Sequence, residues 1–305
     1  MNRKSRHIIG RIGSIILLAA MALFINHYNT DKDKESISKV PVPIDIMNVH
    51  FIDVGQGDSI LVEADHAAML IDAGESNKGN LVSDYLKSRN ITRLDYVIGT
   101  HPHSDHIGGL DTIINSFPID KLILPSAVNT TKTYEDVLDA ISAKELRITK
   151  AEVGAQYKLG SASFTILAPN SPSYEELNNY SVVIKLTYGE NSFLLTGDAE
   201  ELSEKEMLEN GYDLSADVLK LAHHGSSTAS CEEFLEAVNP EYGVICVGKG
   251  NDYGHPHAET LQSMVKHAID VYRTDLQGTI IFTSDGKTIS VNTQPYQITE
   301  KDLKE

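Results

Sequence analysis

The residues best suited to chemistry stand together in Gly99-Thr100-His101-Pro102-His103-Ser104-Asp105-His106-Ile107-Gly108-Gly109, which reads H-x-H-x-D-H. His101 and His103 lie two apart, so an extended loop can aim both rings the same way. Asp105 and His106 are adjacent and suit a second ion beside the first. Neutral imidazole and carboxylate are ligands for zinc or a similar divalent cation. An apolar run, Leu94-Asp95-Tyr96-Val97-Ile98, leads into the segment as a buried strand, and Ile107-Gly108-Gly109-Leu110 opens a helix. The ligand-type residues thus fall in a strand-to-helix loop, on a rigid scaffold yet open to a cleft.

A second set of polar residues falls at the ends of predicted strands: Asp72, Asp198, His223, His224 and His255. Asp198 follows a dry strand and precedes a helix, so its carboxylate can bridge two cations or cap the helix. His223 and His224 can supply one metal ligand and one group facing substrate, because neighbours on a strand point oppositely. His255, in Tyr-Gly-His-Pro, belongs either to the site or to a turn. Asp72 and Asp58 suit the orienting of imidazoles and also suit turns.

The elements that must position these groups follow from apolar periodicity. Strands are expected at 49–53, 59–63, 67–71 and 94–98, helices at 81–89, 109–117 and 134–143, and strands at 121–124 and near Leu146. The pattern then restarts. Hairpins at 156–167 and 181–195 precede a helix at 200–209, a strand at 218–222 ending at the His223-His224 doublet, a helix at 231–238 and a strand at 243–247. A helix at 259–267 and strands near Val271, at 280–283 and at 288–291 complete it. Hairpins followed by helix–strand units, given twice, predict two sheets packed face to face with helices outside.

Residues 1–27 read as a membrane signal. Arg3, Lys4, Arg6 and Arg11 precede an apolar run from Ile12 to Ile25. The run continues past the small-residue site at Ala20-Met21-Ala22, which favours an uncleaved single-pass anchor over a cleaved signal with secretion. The basic flank comes first, so the rest is expected outside the cytoplasm. Residues 28–45 read as a linker, 46–293 as the globular domain and 294–305 as a loose polar tail. The formal net charge is −17, and the four basic residues of the N-terminal segment leave −21 for the remainder. So acidic a body argues against a broad face for duplex nucleic acid. Cys231 and Cys246 form no CxxC, so they suggest no thiolate zinc site, and their pairing is left open.

Together these residues resemble the metallo-β-lactamase superfamily. More narrowly, the chain resembles the extracytoplasmic metallo-hydrolase domain of the ComEC competence-protein family. The matching pieces are Phe51-Ile52-Asp53-Val54-Gly55-Gln56-Gly57-Asp58, Asn179-Tyr180-Ser181-Val182-Val183, Leu195-Thr196-Gly197-Asp198, Leu219 to Ser226, Tyr253-Gly254-His255-Pro256 and Gly278-Thr279-Ile280. The resemblance implies an αββα sandwich, an α/β fold, with a two-metal site at its edge. It implies that His101 and His103 hold one ion, that Asp105 and His106 hold the other, and that Asp198 bridges. One of the His223/His224 pair, His224 by preference, completes the set. Asp105, His223 and His255 are then the candidate catalytic groups. The implied chemistry is hydrolysis by a hydroxide activated between two divalent ions, zinc or else manganese. The expected substrate is a phosphodiester, single-stranded DNA among them. A cell-wall phosphorylcholine-type ester, another ester or lactone, and a non-catalytic metal-binding scaffold are the alternatives. The N-terminal segment implies a membrane contact, and no protein partner is inferred. The chain lacks the many membrane spans of a full competence channel, so DNA transport is not implied.

Overall fold

The computed structural model describes residues 46–304. The expected signal and linker, 1–27 and 28–45, lie outside the described residues. Among the described residues, no helix is long and apolar enough to cross a membrane.

Strands β1 (Met47–Phe51), β2 (Ile60–Ala64), β3 (Ala67–Ile71), β4 (Leu94–Ile98), β5 (Ile119–Leu124) and β6 (Ile148–Lys150) belong to the first sheet. The second holds β7 (Gln156–Leu159), β8 (Ala162–Ala168), β9 (Val183–Tyr188), β10 (Asn191–Leu195), β11 (Val218–Lys220), β12 (Tyr242–Ile245) and β13 (Asp270–Arg273). The chain then returns to the first with β14 (Ile280–Ser284) and β15 (Ile289–Val291). The spatial orders are β15-β14-β1-β2-β3-β4-β5-β6 and β13-β12-β11-β10-β9-β8-β7. Each sheet is antiparallel where hairpins connect its strands and parallel where helices cross over, at β3 to β6 and β10 to β13.

Side-chain alternation explains the layering. Met47, Val49 and Phe51 of β1 join Phe164, Ile184, Phe193 and Phe282 in one core shared by both sheets. The alternate residues Leu61 and Leu70 instead meet the helices Gly79–Ser88, Leu110–Ser116 and Lys132–Ala143. The outer face of the second sheet is covered likewise by Glu201–Glu209, Glu232–Val238 and Ala258–Lys266. Strands buried on both faces must be apolar at nearly every position, which is why they read as continuous runs. Phe282 anchors the shared core, with its ring 5.3 Å from Tyr272, 5.8 Å from Phe51 and 6.1 Å from Phe193.

Two sequence expectations need correction. The polar tail is docked, not loose: Ile298 and Leu303 pack on the outer core of the second sheet, and the Tyr296 amide donates to the Val271 carbonyl at 2.7 Å. Two apolar residues five apart suffice to hold it, a signal that the average polarity of the stretch conceals. The strand expected to run to the His doublet stops at Lys220, and His223–Gly225 forms a tight turn with φ of 49° and 55° at His223 and His224.

Candidate metal centre

Loops following β3, β4, β10, β11 and β12 meet at one edge of the sandwich and bring the separated residues together. Two glycines permit this meeting. A Cβ on Gly57, whose φ is +115°, would lie 2.0 Å from the Asp105 carbonyl oxygen. One on Gly197 (φ +52°) would press Thr100 at 3.0 Å. The Asp58 amide donates to the Asp105 carbonyl at 3.1 Å, and the Val182 amide to that of Thr100 at 3.0 Å. Those bonds tie the histidine loop to its neighbours on both sides.

Asp198, only 2% exposed, stands at the centre. Its Oδ2 lies 3.1 Å from His106 Nε2, 3.4 Å from His224 Nε2 and 3.9 Å from His101 Nε2. Asp105 Oδ2 is 3.1 Å from His224 Nε2 and 3.8 Å from His106 Nε2. His101 Nε2 and His103 Nδ1 are 3.0 Å apart. Two nitrogens each about 2.1 Å from a shared ion lie within about 4.2 Å of each other, so this pair fits one ion. Asp105, His106, Asp198 and His224 offer ligand atoms all within 4.8 Å of one another. His101, His103, Asp105, His106, Asp198 and His224 therefore converge at one edge, Asp105, His106, Asp198 and His224 as one cluster of candidate ligands with His101 and His103 beside it.

The supporting contacts fix ring orientation. His106 Nδ1 donates to Asp72 Oδ2 at 2.8 Å, and Asp72 also accepts from the Thr100 amide and hydroxyl at 2.8 and 2.6 Å. His224 Nδ1 donates to the Cys246 carbonyl at 2.8 Å. With both Nδ1 atoms occupied, each Nε2 is left for a metal. Burial disfavours a charged His106 or His224, but the surrounding aspartates outweigh it and hold both well above the usual imidazole value. His101, by contrast, is pushed well below by burial. Burial opposes the Asp198 carboxylate, yet His106 and His224 draw it well below its ordinary range. The cluster thus demands positive charge, which protons or cations can satisfy. Asp198 Oδ1 is buried without a hydrogen-bond partner, as expected where metal ligation is the missing contact.

The centre opens into a cavity of about 430 Å³. His223 and His255 both line it. Left-handed backbone at both members of the doublet sends His224 inward, 1% exposed, and leaves His223 half-buried. The two rings thus face apart through a turn, not through strand alternation. His223 Nδ1 lies 3.1 Å from Glu200 Oε1 and 3.1 Å from Thr228 Oγ1. The hydrogen bond from His223 holds Glu200 below the usual carboxylate range. Burial, reinforced by His223, His224 and His257, lowers His255 to about 4. Cys231 and Cys246 are free thiols, and burial raises both.

Sequence reasoning passed over several participants. Lys220 is wholly buried, with Nζ 3.0 Å from Asp58 Oδ2, and Asp58 Oδ1 lies 3.4 Å from His224 Nδ1. A lone lysine inside Val218-Leu219-Lys220-Leu221-Ala222 was the available signal, since a charge in a dry strand requires a partner. Glu200 and Thr228 carried no such mark. Ser181 Oγ, which accepts from the Asp198 amide at 3.0 Å and lies 3.3 Å from His101 Nδ1, carried none either.

The metallo-beta-lactamase superfamily model matches residues 52–249. The chain belongs to the metallo-β-lactamase superfamily. Within it, the chain is 34% identical over 250 residues to the ComE operon protein 3 of Bacillus subtilis, covering 76% of this chain and 32% of that protein. It is 30% identical to Recombination protein 2 of Haemophilus influenzae, over 76% of this chain and 28% of the other. With Competence protein ComA of Neisseria gonorrhoeae the identity is 31%, over 75% and 31%. The chain spans about a third of the length of these curated relatives. Among solved structures, CmlA, a diiron β-hydroxylase from Streptomyces venezuelae, is similar at TM-score 0.51 and 12% identity, over 78% of this chain and 54% of that one, a likeness of fold alone. This superfamily member thus has the expected αββα sandwich, competence-protein relatives and a candidate site for divalent metals.

Proposed function

We propose that this metallo-β-lactamase-fold hydrolase cleaves phosphodiesters with two divalent ions, zinc or manganese, on the outer side of a membrane to which residues 1–27 tether it. The observation that carries the reading is the position of Asp198 Oδ2, within 3.9 Å of imidazoles from both ligand groups. His101 and His103 would hold one ion, Asp105, His106 and His224 the other, and Asp198 both. When bound, such a pair supplies the positive charge that makes water nucleophilic near neutral pH and offsets charge growing on phosphoryl oxygens.

The chain's own groups do the rest. His223, with Nδ1 engaged by Glu200 and Thr228, keeps Nε2 for the substrate and delivers a proton to the departing oxygen as the phosphorus–oxygen bond breaks. His255 remains neutral at pH 7 and hydrogen-bonds a substrate oxygen. The names of the relatives, competence protein and recombination protein, support a nucleic-acid phosphodiester. The acidic body disfavours a duplex, which wants a basic stripe, and leaves a single-strand end held by the cations of the site.

The test is elemental analysis of the purified protein, with parallel assays on bis-p-nitrophenyl phosphate, single-stranded DNA and nitrocefin. Two ions per chain and turnover of the first two substrates are expected. Asp198→Ala should lose metal and turnover together. Unchanged metal content and rate in that variant, or hydrolysis of nitrocefin alone, would overturn the reading.

A further inference from the structure

We infer that Tyr253 is a stacking platform that selects phosphodiesters bearing a nucleobase beside the scissile phosphate. The inference rests on the phosphodiesterase reading above and names its substrate class. Tyr253 lines the same cavity as Asp105, Asp198 and His224, yet it is 65% exposed. The fold does not use this ring for packing: Phe51, Phe164, Phe193 and Phe282 are buried in the shared core, while Tyr253 stands at the mouth of the site.

The loop that presents Tyr253 is built to stay in place. Asn251 Oδ1 accepts from the amides of Tyr253 and His255 at 3.1 and 3.0 Å. Its Nδ2 donates to the carbonyls of Gly248 and His255 at 3.0 and 2.7 Å. The Tyr253 ring lies nearly parallel to that of His255, with centroids 5.7 Å apart and planes 23° from each other. One face is thereby backed by an imidazole, and the exposure leaves the other to solvent. A rigid aromatic with one open face is what a planar base stacks on, at low entropic cost.

The remaining lining of the cavity agrees. Gln56, Asn129, Thr131 and Thr133 line it with neutral polar side chains, so that wall sets no charge against a neutral base. Among the described lining residues there is no lysine or arginine. A groove that follows a long phosphate backbone needs such cations, so the site fits one nucleotide at a strand end. A quaternary ammonium group calls for several aromatic faces around it, and this wall offers one.

Three substrates with the same leaving group test the inference on the full chain: the 4-nitrophenyl ester of thymidine 5′-phosphate, methyl 4-nitrophenyl phosphate and 4-nitrophenylphosphorylcholine. Stacking implies that Tyr253→Ala raises KM for the thymidine ester by about 5- to 150-fold relative to its effect on the methyl ester. Tyr253→Phe should preserve the wild-type ratio. Calorimetric affinity for thymidine 5′-monophosphate should fall by a similar factor in Tyr253→Ala. An unchanged thymidine-to-methyl KM ratio, or an equal loss on the choline ester, would overturn the assignment. If the metal-loaded wild type turned over none of the three, the phosphodiesterase reading would fail. Calorimetry would still decide on Tyr253, supporting the platform if Tyr253→Ala weakens nucleotide binding and refuting it if affinity is unaltered.

Discussion

Lys220 offers the sharpest test of how the metal centre is held. Its ammonium is fully buried, 3.0 Å from Asp58 Oδ2 and bonded to the Leu221 carbonyl at 2.9 Å. Asp58 is 1% exposed and reaches His224 Nδ1 with its other oxygen. Burial works against both charges, but the Asp58–Lys220 attraction keeps Lys220 raised and Asp58 lowered. Lys220→Met keeps the volume and removes the charge, leaving the buried Asp58 carboxylate beside Asp72 with the His224 imidazole, 3.4 Å away, to offset it. Breaking such a pair on one side costs about 3–5 kcal/mol. With a urea m-value of about 3 kcal/mol/M, the unfolding midpoint should drop by about 1–1.7 M. Adding Asp58→Asn removes the orphaned charge, so the double variant should recover a large part of the loss, giving a coupling energy of about 2 kcal/mol or more. The assay is urea unfolding of the metal-free protein followed by circular dichroism, with all four members of the cycle. A shift below about 0.3 M in Lys220→Met, or a double variant that loses the sum of both singles, would refute the argument that this ion pair frames the site.

Three further outcomes follow from the same structure. Nearby aspartates, outweighing burial, raise His106 and His224 well above the usual imidazole value in the metal-free protein, while burial lowers His101 and His103. Loading metal at pH 7 should therefore release about two protons per chain, measured by calorimetry in buffers of different ionisation enthalpy; no release would contradict this charge balance. Burial raises Glu204 to about 7 despite amide bonds from Ser230 and Cys231. A carboxyl whose folded pKa exceeds its unfolded one favours folding most below about pH 4.5 and loses that contribution as pH rises through about 7. Wild-type stability relative to Glu204→Gln should thus fall between pH 5 and 8, by up to about 3 kcal/mol, and parallel pH profiles of the unfolding midpoint would exclude it. Gly57→Ala places a methyl group against the Asp105 carbonyl at a positive φ, so it should cost about 3 kcal/mol and lower metal affinity by moving Asp105, which thermal unfolding and metal titration would show.

Much of the fold could be read along the chain because both sheets are buried on two faces. Runs such as Ile60–Ala64 and Leu94–Ile98 are strands in the structure at or within a residue of their expected limits. The tail went astray because Ile298 and Leu303 act through partners on the second sheet that no local window contains. The turn at His223–His224 was missed because its left-handed backbone is fixed by His224 bonding Cys246, 22 residues away.

The linear order by itself determined which residue types could serve as ligands, their concentration in His101 to His106, and the hairpin-then-crossover pattern that implies two sheets. Those features are local, encoded in spacing and apolar period. Only the tertiary structure decided that Asp198 stands beside that segment, that His224 faces in while His223 rests on Glu200, and that Lys220 neutralises Asp58. Those pairings join residues 22 to 162 positions apart, and it is burial, by stripping away water, that forces each charge to find its partner across the fold.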